Sequence, residues 1–229
     1  MKRLVFCTLL IAGLATAALA LQQGNKSAEA PPPRANFIGD DDGGLTEIVP
    51  VDPAVWGTRA DAAVPLMKSV QQVSIFLGAS WGDQQVRSRQ TGLLDLAGIR
   101  SKPGVSELQN HSVEVLPAAP KVEDFSDLSK STINDLTVQR KLVEMLANHA
   151  IPAPAANTVY VVFLAPGITS TLGTSKAGTD YSAYHNLLHA EAGEVRYVVV
   201  PYHQDAGRHS AVATPAFADT VFNPSATTN

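Results

Sequence analysis

The segment His185-Asn186-Leu187-Leu188-His189 sets two imidazoles at an i, i+4 spacing. On a helix that spacing puts both rings on one face. Paired imidazoles with a third donor are the usual ligand set of a catalytic zinc, which brings its bound water to a pKa of about 7. Glu191, Glu194, His203 and His209 follow as candidate third ligands. Two features oppose this chemistry. Asn186 stands where an H-E-x-x-H enzyme carries its general base, and Gly193 with the apolar run from Val195 leaves little room for a long helix. A zinc-dependent hydrolase using His185 and His189 is therefore the alternative reading of the chain.

Other nucleophile arrangements are weaker. Ser170, Ser175 and Ser182 lie near these histidines, but there is no G-x-S-x-G elbow and no phosphate-cradling glycine motif. Tyr181, Tyr184, Tyr197 and Tyr202 could line a groove for peptide or sugar, although aromatic side chains beside a central strand usually pack into the core. Tyr184, His185, Tyr202 and His203 are the candidate binding residues.

These residues must be positioned by strands and helices with readable patterns. Val73, Ile75 and Leu77 alternate with polar or small residues, predicting a strand from about Val70 to Gly78. Val86, Leu93, Leu94, Leu96 and Ala97 predict a helix over Asp83 to Ile99. Ser112 to Leu116 reads as a short strand. A second helix, capped by Asp127 or Ser129, carries Ile133, Leu136, Val138, Leu142, Val143 and Leu146 and stops before Pro152. Thr158 to Leu164 is a continuous β-branched and aromatic run, as expected of a strand buried on both faces. A Gly- and Ser-rich loop then runs to Tyr184, and Val195 to Tyr202 reads as another central strand. The order implies one α/β domain with a mixed sheet and flanking helices, over residues 70–229.

Ahead of that domain, Met1-Lys2-Arg3, an uncharged apolar stretch and Ala18-Leu19-Ala20 form a signal-peptide pattern over residues 1–20, with cleavage expected after Ala20. Residues 21–69 read as a disordered linker rich in proline and acid. It holds Pro31-Pro32-Pro33 and Asp40-Asp41-Asp42, whose contiguous carboxylates lack the alternate spacing of a calcium loop. Cys7 is the only cysteine, so the mature chain is expected to form no disulfide and no thiolate metal site. No later segment is long and apolar enough to predict a membrane span in the mature chain. A formal net charge of −4 excludes the basic stripe that nucleic acid binding requires. The localisation expected is secreted, periplasmic or cell-envelope, with an extracytoplasmic protein or polysaccharide as partner.

Pro152-Ala153-Pro154, Asn157 to Phe163, Pro166-Gly167-Ile168-Thr169, Tyr184-His185-Asn186 and Tyr197 to Tyr202 resemble, in order, segments of a family of secreted bacterial proteins related to the plant phosphate-induced, Exordium-like proteins. The resemblance covers residues 70 to 224. In that family the Pro-Tyr strand leads to a zincin-like helix with a His-Glu-x-x-Glu core, in which histidine and an acidic residue hold zinc and the glutamate beside the histidine is the base. Here the matching stretch runs from Thr214 to Pro224, with Pro215 at the histidine position, Ala216 at the glutamate position and Asp219 at the acidic ligand position. Relatives also carry cysteines beside the Tyr-His-Asn segment and after the Pro-Tyr strand, where this chain has none.

The resemblance thus implies a metalloprotease-like core lacking an intact metal helix, without a cofactor. Pro215 also disfavours helix there, because proline is at home only in a first turn. Changing Pro215→His and Ala216→Glu would restore the pattern around Asp219. The function expected is that of a secreted, non-catalytic domain with a binding or structural role. A metal at His185, His189 and Asp219, zinc in the hydrolase reading, and a cell-envelope partner-binding protein are the alternatives.

Overall fold

A computed structural model describes residues 67–98, 104–126, 128 and 132–222, preceded by three two-residue strands: β1 (Ile38–Gly39), β2 (Leu45–Thr46) and β3 (Val49–Pro50). All of these belong to one unit, Arg34–Asn229; the other, Met1–Pro33, lies outside the described residues, and the expected signal peptide lies with it.

The sheet is built around β8 (Thr158–Leu164), in which every residue is buried. Its β-branched and aromatic side chains alternate between two apolar layers, so it can only sit where both faces are covered. β4 (Ser69–Leu77) and β12 (Gly193–Val200) flank it in parallel, with Val73 and Tyr197 both in register with Tyr160. Beyond β12 comes β11 (Tyr184–Ala190), antiparallel, and then β3, which pairs Pro50 with Tyr184 and Val49 with His185. On the far side, β4 shares one edge between β5 (Glu114–Val115) and β6 (Val122–Asp124), both parallel to it. A separate small sheet has the order β10 (Ser175–Lys176), β9 (Thr169–Leu172), β7 (Thr132–Asn134).

A helix covers each face of the large sheet. Val138, Leu142, Met145 and Leu146 of α3 (Asp135–Ala147) pack with Val73, Ile75, Tyr160, Val162, Tyr197 and Val199. Val212, Ala213, Ala216, Phe217 and Val221 of α4 (Ala206–Phe222) pack with Val159, Val161, Phe163, Val198 and Val200. The earlier α1 (Gln84–Arg87) and α2 (Val105–Asn110) are short. The architecture is a mixed α/β fold, as the patterning predicts. No helix among the described residues is long and apolar enough to cross a membrane.

Several elements differ from the sequence expectation. The helix over Asp83 to Ile99 is broken into α1, a 3₁₀ segment Ser88–Leu93 and a turn. The cause is Gln72 on β4, whose amide donates to Leu93 O at 2.8 Å while its Oε1 accepts from Leu96 N at 2.8 Å. A side chain from the sheet therefore holds the backbone groups that a continuous helix would have paired.

The second helix begins at Asp135, where Asn134 accepts from Thr137 N at 3.0 Å. Ile133 is in strand β7, paired with Ser170, and Val143 is exposed. Asp127 and Ser129 lie outside the described residues. The loop before Tyr184 contains β9 and β10. Within the expected linker, β1 to β3 are strands and Met67 is buried; the remaining positions before 67 lie outside the described residues.

Candidate functional site

α4 follows β12 after a short loop. Asp205 starts it, its carboxylate accepting from Arg208 N and its carbonyl from His209 N, both at 2.9 Å. The helix then runs through Pro215. An interior proline costs a helix about 3 kcal/mol, yet every residue from Val212 to Phe222 is buried, so packing overrides the local penalty. Gly104, at φ +94°, lets the start of α2 approach this point; a Cβ there would stand 3.1 Å from Thr214 O and 3.3 Å from Pro215 Cα. The expectation that Pro215 disfavours helix is thus corrected by tertiary contact.

The H-x-x-x-H segment is strand, not helix. His185 and His189 lie on β11, where positions i and i+4 share a face but stand about 13 Å apart. His185 is fully buried and faces α4, and its Nε2 meets Asp219 Oδ2 at 2.9 Å; its Nδ1 has no protein partner. His189 is exposed near the hairpin to β12. The structure therefore brings Asp219 to His185 and separates both from His189. Ala216 lies in the core against the sheet. Among the described residues no cluster of three His, Cys, Asp or Glu side chains is placed to hold a metal ion, so the zincin ligand set does not fit these residues.

On the opposite face, β11 and β12 deliver Tyr184, Asn186 and Tyr197 to Asp135, the first residue of α3. Tyr197 Oη donates to both Asp135 oxygens at 2.9 and 2.8 Å, Gln139 Nε2 to Oδ2 at 2.7 Å, and Asn186 Nδ2 to Oδ2 at 3.1 Å. Burial raises the Asp135 carboxyl above the usual range, against the pull of these donors. The Tyr184 hydroxyl also interacts with the Asp135 carboxyl. Burial first, and then the Asp135 charge, push Tyr184 and Tyr197 well above 10. Burial lifts Tyr181, whose hydroxyl meets Ser170 Oγ at 2.9 Å, to about 12.

A third constellation forms where the Ser88–Leu93 segment meets the start of α4. A cavity of about 260 Å³ is lined by Ser88, Arg89, Gly92, Leu93, Ala206, His209 and Ser210. His209 is 1% exposed and sits among Trp81, Phe163, Tyr202 and His203, with ring centroids 5.6 to 6.4 Å away. Both of its ring nitrogens lack a protein partner. Such a group costs about 1–3 kcal/mol. Burial, with the charges of His203 and Arg89, lowers His209 to about 3, so the ring is neutral. Arg89 donates to Gln204 O and lies over the Tyr202 ring at 5.7 Å.

The four candidate binding residues divide among these places. Tyr184 belongs to the Asp135 network and His185 to the Asp219 pair. Tyr202 and His203 stand beside His209, with His203 Nε2 at 3.4 Å from Ser182 O and its pKa lowered by burial. Asp135, Gln139 and Arg89 were missed in the sequence. Asp135 and Gln139 lie on α3 and Arg89 on the Ser88–Leu93 segment, each away from the strand or helix it meets. Of the residues lining the cavity, only His209 carries a signal in the sequence, as a possible third metal ligand. Comparison with protein-family models, curated proteins and solved structures gives no match.

Proposed function

We propose that this chain is a secreted, non-catalytic domain with a metalloprotease-like core, acting in binding or structure outside the cytoplasm. One observation carries the reading: the positions that would hold the zincin chemistry are committed to packing. Ala216 is sealed in the core, Pro215 lies against Gly104, and Asp219 meets His185 at 2.9 Å. A zinc-bound water needs open coordination space and a carboxylate base beside it; Pro215 and Ala216 bring no donor, and the Asp219 carboxylate is engaged by His185. The resemblance of the strands around β8 and β12 to the Exordium-like family supports the descent, and the N-terminal signal pattern supports the location.

The test is metal content and casein cleavage by the purified full chain. The expected result is no stoichiometric zinc and no cleavage. Stoichiometric zinc lost on His185→Ala, together with cleavage, would replace this reading with a hydrolase.

A further inference from the structure

We propose that the cavity between the Ser88–Leu93 segment and the start of α4 binds a small organic monocarboxylate, with Arg89 as its charge partner and His209 as its hydrogen-bonding neighbour. This rests on the reading of the chain as a binding domain and names its ligand class.

Three observations converge on it. The first is charge. Arg89 is a half-buried guanidinium held by Gln204 O and the Tyr202 ring, so its orientation is set before a ligand arrives. One carbonyl uses only part of its five-donor fork, and a carboxylate matches the rest. Arg208 and Asp205 are the neighbouring charges, and Asp205 is turned into its own helix by the Arg208 amide. The local sum is one positive charge, which suits a monoanion.

The second is the unmet capacity of His209, a side chain 1% exposed that lines the same cavity with no protein partner on either nitrogen. Kept neutral, it adds no second positive charge and offers one donor and one acceptor. The third is shape and lining. About 260 Å³ suits a few-atom ligand rather than a peptide or a sugar chain, and Leu93, Gly92 and Ala206 give its carbon body an apolar wall.

The experiment titrates the full chain with L-lactate and acetate, and with inorganic phosphate and glycerol as charge and shape controls. Calorimetry and the ¹⁵N resonances of the histidine rings are followed together. Saturable carboxylate binding that shifts the His209 ring is expected, with no response to glycerol. Arg89→Gln should weaken it about tenfold or more, since a charge-assisted contact is lost, and Arg89→Lys should fall between. Ser88→Asp, at an exposed rim position, should abolish binding while leaving the melting temperature unchanged. The proposal is overturned if phosphate binds more tightly than either carboxylate, if Arg89→Gln or Ser88→Asp binds as the parent does, or if the folded parent shows no saturable binding. Failure here leaves the non-catalytic reading standing, because that reading stands or falls on zinc and cleavage.

Discussion

His185 Nε2 and Asp219 Oδ2 meet at 2.9 Å across the interface between strand β11 and the helix that covers it, although 34 positions separate them in the chain. The contact joins β11 to α4 at a point where both side chains are shut off from solvent. A buried polar group without its partner is costly, whereas an exposed one is not. Asp219→Ala is therefore expected to destabilise the fold by about 1–3 kcal/mol. His189→Ala, on the same strand but exposed, should stay within about 0.5 kcal/mol. Urea denaturation of both variants decides it; equal midpoints would show that the buried contact contributes nothing.

Restoring the zincin pattern is expected to fail for a reason that only packing reveals. Ala216 is 0% exposed in the layer shared with Val198 and Phe217. Ala216→Glu would force a carboxylate and extra volume into that layer, at a cost of about 3 kcal/mol or more. The double change Pro215→His with Ala216→Glu should thus lower the melting temperature before any metal affinity can appear. A double variant as stable as the parent that takes up zinc would contradict this and reopen the metal helix.

Asp135 makes the fold lose stability as pH rises above the ordinary carboxyl range. Its carboxyl is raised in the folded state, chiefly by burial. The stability linked to its protonated form is complete below the ordinary 3.8 and is lost as pH rises through the raised folded value. The loss runs at up to about 1.4 kcal/mol per pH unit over that window. Asp135→Asn removes the titration, so its stability relative to the parent should climb with pH. Urea midpoints at a series of pH values test it, and a difference that does not change with pH would refute it.

His209 acts with the opposite sign. Its folded value of about 3 lies below the ordinary 6.5, so the stability it contributes is present above that ordinary value and is lost as pH falls toward 3. Across that window the slope is up to about 1.4 kcal/mol per pH unit. His209→Phe keeps an aromatic ring against Trp81 and Tyr202 but cannot charge, and it should flatten the acid limb of the stability curve. An acid limb as steep as the parent's would show that other groups cause it.

The amino-acid sequence by itself determined the centre of this sheet. β4, β8 and the inner part of β12 are readable because burial on one or both faces leaves a period-two or continuous apolar pattern along a single segment. That information is local. Tertiary structure alone decided the rest, because each outcome depends on a partner remote in the chain. Gln72 breaks the helix expected from Asp83 by taking Leu93 O and Leu96 N. Pairing with β12 and β3 makes a strand of a histidine spacing that would suit a helix. Burial carries α4 through Pro215 against its local propensity. Asp135, Gln139, Asn186 and Tyr197 share no pattern in the sequence, and neither do Arg89 and His209. They meet only when the fold brings their elements together, since hydrogen bonding and charge act through space and leave no period in the chain.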